Sequence, residues 1–304
     1  MADSVTAGAR PSAASVWIEA ARLKTLPAAA APVLVGIALA VEAGAFHLPA
    51  AACALLGALF IQIGTNYIND SEDAARGTDT DARKGPRRAT ATGLVTVGQM
   101  RAAGAVAFSL AFAAGIFLIL RGGWPILVLG LASIASGVAY TAGRYALAYT
   151  GLADLFVLVF FGPIAVGGTY YVQALDLPLW VPVAGLGPGF LAVAILLANN
   201  VRDVEEDRAG DKRTLVVRFG RAFGVRLYGI CISGAVVVPA SLTLVARDHL
   251  GVLAASALAA VLGRQLQGTL AGASDPAVLN PLLGKTAGLL ALYSVVFALG
   301  WTLS

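Results

Sequence analysis

Residues 50–69 read AAACALLGALFIQIGTNYIN, an apolar run without a charged residue. A helix of about 20 such residues spans the hydrocarbon core of a bilayer, and the charged sequence Asp-Ser-Glu-Asp follows directly at 70–73. Comparable apolar runs recur along the chain. The sequence therefore predicts an all-α integral membrane protein with nine transmembrane helices, at 26–43, 50–69, 99–120, 124–142, 152–173, 180–201, 224–246, 250–267 and 283–303.

The composition also indicates a lipid environment. Hydrophobic residues make up 58% of the 304 residues and charged residues 12%, whereas about a quarter of a soluble domain is charged. The 35 glycines suit membrane helices, because small residues let helix backbones approach closely. Both cysteines lie inside apolar runs, which predicts core residues and excludes a disulfide framework or a cysteine metal cluster.

Basic residues are distributed unevenly between the two sets of loops that nine spans create. Nineteen of the 21 lysines and arginines fall in one set, and Arg121 and Arg247 fall in the other. Because cytoplasmic loops carry the excess of Lys and Arg, we expect a cytoplasmic N-terminus. Residues 1–14 are predicted to be a disordered cytoplasmic tail, and 15–304 one membrane-embedded domain. The net charge of +4 thus reflects topology, and no nucleic-acid partner is expected.

A first acidic patch lies at the end of the second predicted helix. Asn66, Asp70 and Asp73 follow an i, i+4, i+7 spacing, which places three oxygen-bearing side chains on one helix face. Mg²⁺ takes oxygen ligands, commonly one or two carboxylates completed by water and substrate phosphate. The spacing therefore favours these three residues as metal ligands.

The end of the sixth predicted helix repeats this arrangement, with Asn199, Asp203 and Asp207 at successive i+4 steps. Either patch alone is equally well explained as a solvated helix end. Carboxylates at a membrane boundary are costly, however, and usually functional, and the Asn-x-x-x-Asp spacing occurs twice on the same predicted side. We predict that the patches face one another, that their four aspartates are catalytic, and that both asparagines also contact substrate.

Basic residues near both patches complete an expected anion site. We favour Lys84 and Arg144 as catalytic phosphate contacts, and Lys212 and Arg202 as substrate-binding residues. The remaining loop cations are Arg87, Arg88 and Arg213. A role in setting membrane topology explains each of them as well as a phosphate contact does. No histidine-based catalytic set is expected, because both histidines lie on the opposite predicted side.

Several segments between residue 21 and about residue 221 resemble, in the expected order, the UbiA superfamily of intramembrane aromatic prenyltransferases. Within it they look most like the enzymes that prenylate 1,4-dihydroxy-2-naphthoate in menaquinone biosynthesis. The segments are ARLKTLP at 21–27, NYIND at 66–70, GTD at 77–79, GPRRA at 85–89, AYTGLADLFV at 148–157, FFG at 160–162, NNVRD at 199–203 and KRTL at 212–215. Gly77 departs from the superfamily's fuller first motif, which has an aspartate there, and Asp154 stands where we expect glutamate.

This resemblance implies a UbiA-type helical bundle in a bacterial-type cell membrane, with its active site on the cytoplasmic side. It implies two Mg²⁺ ions that bridge the diphosphate of a polyprenyl donor. The prenyl group would pass to a ring carbon of 1,4-dihydroxy-2-naphthoate with release of diphosphate and CO₂, giving demethylmenaquinol.

Aromatic residues near the predicted cytoplasmic helix ends are candidates for stabilising an allylic cation through their ring faces. For any one of them, packing or interfacial anchoring is the more ordinary explanation: Tyr67, Tyr140, Tyr149, Phe156 and Phe160. The group that activates the acceptor is left open among Asp70, Asp154 and Lys24, and the last two are also substrate-binding candidates.

An ion-coupled transporter is the main alternative from another class, since it could also use carboxylates within a helical bundle. Transport predicts charges near mid-membrane, whereas every acidic residue of this chain lies at a predicted helix end or in a loop. Among enzymes, the alternatives are prenylation of 4-hydroxybenzoate or homogentisate and farnesyl transfer to haem.

Overall fold

A computed structural model describes residues 12–77, 88–246 and 248–304, and every regular element in these ranges is helical. The predicted all-α class is therefore confirmed. The α-helices are α1 (Ala13–Ala20), α2 (Leu26–Glu42), α3 (Leu48–Ala75), α4 (Val97–Gly122), α5 (Trp124–Ala139), α6 (Leu147–Thr150), α7 (Ala153–Val159), α8 (Ala165–Ala174), α9 (Trp180–Arg202), α10 (Val204–Ala209), α11 (Leu215–Phe219), α12 (Arg221–Leu242), α13 (Leu253–Gly272) and α14 (Pro276–Thr302).

Eight helical segments in the described ranges are long and apolar enough to cross a membrane. Among them, α1 with α2 forms one segment and α7 with α8 another. The fourth predicted span differs, because α5 has 16 residues and ends at Ala139, short of the roughly 20 residues that a crossing needs. A multi-pass membrane protein is confirmed, while a ninth crossing and the cytoplasmic N-terminus remain predictions.

The main core lies in one half of the bundle. Buried apolar side chains from α2, α8, α9, α12, α13 and α14 form one continuous cluster. Helix α9 is the most enclosed, since 72% of its most apolar stretch is buried against only 17% for α3. The other half is built from α3, α4 and α5, and α3 and α5 contribute much of the lining of an internal cavity.

Two helix ends set the geometry of the acidic patches. Helix α3 continues without a break to Ala75, six residues past the predicted end, so Asn66, Asp70 and Asp73 share one regular helix. Helix α9 ends at Arg202, and Asp203, with φ −97° and ψ 13°, turns the chain into α10. The second patch therefore lies across a bend, whereas its i+4 spacing predicts a single helix face.

The fifth predicted span is interrupted between α7 and α8 by a π-helical turn, Phe160–Ile164. Pro163 lies in this turn and lacks the N–H that a regular helix requires. The neighbouring Gly162 packs directly on Gly185 of α9, and a Cβ at Gly185 would approach the Gly162 carbonyl oxygen to 2.7 Å. Close backbone contact at two glycines thus fixes the turn against the buried helix.

Gly185→Ala should destabilise the protein by about 1–3 kcal/mol, the usual cost of overpacking, because the new methyl group has no space beside Gly162. Gly268→Ala on α13 is the matched control, since a Cβ there meets nothing within 4 Å. Melting temperatures of the two variants in the same detergent test this expectation. Equal values for both would contradict the close contact.

Candidate active site

A large cavity of about 1160 Å³ lies between the helices. Helix α3 lines it from Ala54 to Asp73, about 28 Å of helix at 1.5 Å per residue. Charged side chains gather at one end of this length, and an apolar cluster around Ile126 and Val172 lies at the other. The cavity therefore suits an elongated ligand with one charged end and an apolar tail.

Both aspartates of the first patch are buried and hydrogen-bonded. Asp70 accepts hydrogen bonds from the backbone N–H groups of Ala89 (3.3 Å) and Thr90 (3.1 Å). Asp73 accepts one from the Arg88 guanidinium (2.8 Å) and one from the Tyr149 hydroxyl (3.2 Å). Buried charges need such partners, so the segment that follows residue 87 is tied onto the end of α3.

Arg202 occupies the centre of the second patch. Its Nε and Nη2 atoms each donate to a different carboxylate oxygen of Asp203 at 2.6 Å, a strong bidentate arrangement. The same guanidinium donates to Asn199 (2.7 Å) and to Asn280 of α14 (3.2 Å). Arg202 lines the cavity, whereas Asp203 does not. The bend at Asp203 explains this difference from the predicted common face.

A single ammonium group joins the two patches. The Lys212 Nζ atom lies 3.6 Å from Asp73 Oδ2 and 3.9 Å from Asp207 Oδ1. The patches therefore face one another across the charged end of the cavity. Burial raises the pKa of Asp207 to about 7; Lys212 opposes this shift, and the carboxylates of Asp203 and Asp73 add to it.

Tyr149 holds this end of the site together from outside the cavity. Its ring lies 4.5 Å from the Arg76 guanidinium carbon and 5.4 Å from the Lys212 Nζ atom, both distances to the ring centroid. These are cation–π distances, and the ring hydroxyl bonds to Asp73. Tyr149 thus contacts Asp73 and Lys212, which line the cavity, and Arg76, which does not.

Asp154, in the first turn of α7, is a further buried polar group of the cavity wall. Its side chain is 8% exposed, and Oδ1 has no hydrogen-bond partner among the described residues. A buried polar atom normally has a partner, so Asp154 offers an acceptor to a ligand. The stacked rings of Phe156 and Phe160 (5.9 Å between centroids) lie in the same wall.

The remaining predicted residues divide into three groups. Lys24, Asn66, Tyr140 and Asn199 line the cavity. Tyr67 and Arg144 do not. Lys84 lies outside the described residues, as does Arg87.

The positions of Tyr67 and Arg144 correct the predicted set. Tyr67 follows Asn66 by one residue and therefore points about 100° away from the patch; it packs edge-on against Trp17 at 5.8 Å and donates to its carbonyl oxygen. Arg144 lies in the exposed loop after α5, over the Tyr145 ring.

Sequence reasoning missed several residues of this site. From the sequence, Arg88 could not be distinguished from a residue that only sets membrane topology. In the structure its side chain is 8% exposed and paired with Asp73. Arg22 and Thr25 lie inside the ARLKTLP segment, which was the available signal. Asn280 had no signal, because it lies beyond every motif.

The chemistry of the donor set fits a hard cation. Within the described ranges, no three acidic, histidine or cysteine side chains converge on one point, because the carboxylates are held by arginine, lysine and backbone N–H groups. Every candidate ligand offers oxygen, and Mg²⁺ commonly takes one or two carboxylates and completes its shell with water and substrate phosphate. Asp70, Asp73 and Asp207 fit this role when a phosphate ligand shares it.

The fold and the cavity define a multi-pass membrane protein with an internal site for an amphiphile. The profile of the UbiA prenyltransferase family matches residues 29–270, and the chain belongs to this family. The resemblance found in the motifs is thereby confirmed.

Relatives and solved structures agree with this assignment. A 1,4-dihydroxy-2-naphthoate octaprenyltransferase of Escherichia coli is 35% identical over 294 residues, 95% of each chain, and one of Mycobacterium tuberculosis is 40% identical over 70% of this chain and 72% of its own. A UbiA homologue from Archaeoglobus fulgidus bound to DMAPP and Mg²⁺ superposes with a TM-score of 0.66 at 18% identity, over 93% of this chain and 99% of its own. An Aeropyrum pernix homologue gives 0.70 at 14% identity, over 92% and 97%.

Asp207→Asn should reduce the pH dependence of stability of the metal-free protein. Folded Asp207 keeps its proton up to about pH 7, whereas an unfolded aspartate releases it near pH 4. The folded state therefore binds more protons between these values, so this residue lowers stability as the pH rises from about 4 to about 7.

Melting temperatures in EDTA at about pH 5 and about pH 8 test this linkage. The decrease in melting temperature from the lower to the higher pH should be smaller in Asp207→Asn than in the wild type. Glu205→Gln is the control, because Glu205 is exposed and pairs with Arg208. An identical decrease in Asp207→Asn and the wild type would contradict the raised pKa.

Proposed function

We propose that this protein transfers a polyprenyl group from polyprenyl diphosphate to a ring carbon of 1,4-dihydroxy-2-naphthoate. Diphosphate and CO₂ are released and demethylmenaquinol is formed, a step of menaquinone biosynthesis. One observation carries this proposal. The same cavity has the two facing acidic patches and their cations at one end and an apolar lining along the rest of its length, which is close to that of a membrane-spanning helix. The names of relatives that match 94–95% of the chain support the acceptor.

The carboxylates of both patches are proposed to hold Mg²⁺, two ions with the donor diphosphate between them. The ligands would come from Asp70, Asp73 and Asp207, which line the cavity, and from Asp203 once Arg202 leaves it, with the Asn199 side-chain oxygen available beside them. When bound, Mg²⁺ supplies Lewis-acid stabilisation of the diphosphate leaving group. Solved UbiA homologues bound to DMAPP or GPP with Mg²⁺ support divalent metal use.

Arginine and lysine side chains change partners in this proposal. In the ligand-free site, Arg202 neutralises Asp203, and Arg88 and Lys212 neutralise Asp73. When the diphosphate enters, these cations turn from the carboxylates to its oxygens and balance the charge that develops as the allylic C–O bond breaks. Both electrons of that bond leave with the diphosphate oxygen.

The cavity wall formed by α7 and the end of α5 is proposed to serve the acceptor and the allylic carbon. Rings of Tyr140, Phe156 and Phe160 line the wall and stabilise positive charge on the prenyl carbon. Asp154 accepts a hydrogen bond from an acceptor hydroxyl, which increases the electron density of the ring for attack. Lys24 lines the cavity near its rim and is placed to meet an acceptor carboxylate.

The active site is proposed to face the cytoplasm of a bacterial-type cell. The support is the charge asymmetry of the sequence, since the residues of the charged end belong to loops that carry nineteen of the 21 lysines and arginines. Both substrates would enter from this side, with the prenyl tail between helices.

Purified protein with Mg²⁺, a polyprenyl diphosphate and 1,4-dihydroxy-2-naphthoate should form demethylmenaquinol, and EDTA should abolish the reaction. Product identified by mass spectrometry, together with released CO₂, is the measurement. Parallel reactions contain 4-hydroxybenzoate or homogentisate in place of the naphthoate. Prenylation of either alternative while the naphthoate is left unchanged would overturn the acceptor assignment.

Asp70→Asn and Asp203→Asn should each lower kcat/KM by about 100-fold or more, because each removes a charge that the diphosphate site uses. Both changes keep the size of the side chain, so membrane insertion should remain normal. Asp70→Asn should melt close to wild type, whereas Asp203→Asn should also melt lower, because Arg202 loses its buried partner. Glu205→Gln is the matched control on an exposed side chain of the same charged end. Near-normal turnover in both aspartate variants would remove the metal-site proposal.

A further inference from the structure

The turn between α1 and α2 holds an arginine in an unfavourable backbone conformation. Arg22 has φ 53° and ψ 62°, in the left-handed region. Among the described residues, the other non-glycine residues with positive φ are Leu175 and Asp211. Of the three, Arg22 alone lines the cavity. Non-glycine residues persist in this region when the surrounding structure holds them there, often at binding sites.

Side-chain hydrogen bonds from α3 hold this turn. The Asn66 Nδ2 group donates to the Ala21 carbonyl oxygen (2.9 Å) and to the Thr25 hydroxyl (3.0 Å). The Thr25 hydroxyl in turn donates to the Arg22 carbonyl oxygen (2.9 Å). These bonds enclose Arg22 from both sides, so its conformation depends on Asn66 and Thr25.

The orientation of the Asn66 carboxamide follows from its partners. A carbonyl oxygen can only accept, so the amide nitrogen must face Ala21, and its two hydrogens are then both used. The amide oxygen accepts from Gln62 Nε2 at 3.4 Å. Asn66 is 3% exposed. Its functional group is therefore directed to the turn, although its spacing from Asp70 predicts a metal ligand.

The turn brings positive charge to the charged end of the cavity. Arg22 lines the same cavity as Asp73 and Tyr140. An arginine offers a planar set of donors that matches carboxylate and phosphate oxygens. A left-handed turn that places this group beside the first patch therefore suits an oxyanion of a substrate.

We propose that Arg22 binds a substrate oxyanion and that Asn66 is the positioning residue that holds the Arg22 turn, instead of a metal ligand. The oxyanion is the diphosphate of the donor or the carboxylate of the acceptor. This inference rests on the proposed function for its substrates. Thr25 shares the positioning role through its hydroxyl group.

Equilibrium binding to the full-length protein tests the proposal with two probes, inorganic diphosphate with Mg²⁺ and 1-hydroxy-2-naphthoate without metal. Arg22→Gln, Asn66→Asp and Thr25→Val should weaken binding of the same probe by about tenfold or more, the effect of losing a hydrogen bond to a charged group. Thr25→Ser should bind within about twofold of wild type, because it keeps the hydroxyl. The probe that is weakened identifies which oxyanion Arg22 contacts.

Asn66→Asp separates the two roles of this residue. The aspartate keeps an oxygen ligand for a metal but places a carboxylate against the Ala21 carbonyl oxygen, so the turn is lost. The double variant Arg22→Gln/Asn66→Asp should bind no more weakly than Arg22→Gln alone, because Asn66 acts through Arg22. Wild-type binding by Asn66→Asp, or additive losses in the double variant, would overturn the proposal.

Arg22→Gly provides a readout that a purely structural role would not give. Glycine adopts positive φ without strain, so this variant should melt at a higher temperature than wild type while it binds the probe more weakly. Leu175→Gly is the matched control, because Leu175 has φ 57° at the end of α8, away from the cavity. It should also melt higher but bind normally.

The outcomes separate this inference from the proposed function. If the wild type binds neither probe, the proposed function fails. If the wild type binds a probe and both Asn66→Asp and Thr25→Val bind it equally well, the positioning role alone fails.

Discussion

A buried carboxylate needs positive charge or hydrogen-bond donors around it, and this requirement organises one end of the bundle. Asp73 meets Arg88 and Lys212, and Asp203 meets Arg202. Arg88 and Lys212 lie in segments remote from Asp73 in the sequence, so these two ion pairs tie those segments to the end of α3, whereas Arg202 is the sequence neighbour of Asp203 and reaches Asn280 of α14. Removing one partner from a buried pair leaves an uncompensated charge. The charged end is therefore held together by the same groups that a diphosphate would contact.

The helical membrane class could be predicted because lipid demands long apolar helices, a demand visible in single segments. The prediction was less accurate for α5, where residues 140–142 continue the apolar run but leave the helix. The residues of the first patch share one helix face because α3 is regular throughout. Those of the second patch do not, because Arg202 and the bend at Asp203 are tertiary features. Site cations and topogenic cations are the same residue types, so Arg88 and Arg144 could be distinguished only by burial.

The Arg22 turn and Asn280 show a further limit of sequence patterns. The spacing of Asn66 from Asp70 indicates which face it occupies but not which atoms it meets. The hydrogen bonds of its amide group go to Ala21 and Thr25, which lie more than forty positions away in the sequence. Asn280 reaches Arg202 from the last helix, where no motif marks it. Such contacts depend on how helices pack, and a periodic pattern does not contain that information.

Helix α3 has 28 residues and is therefore about 42 Å long, whereas the hydrocarbon core of a bilayer is about 30 Å thick. Because the apolar run at 50–69 matches that thickness, we expect the last turns of the helix, with Asp70 and Asp73, to lie beyond the hydrocarbon region. The proposed chemistry would then take place at the depth of the lipid headgroups. An amphiphile that diffuses laterally in the leaflet already has its head at this height, so it can reach the aspartates without lifting its tail out of the hydrocarbon.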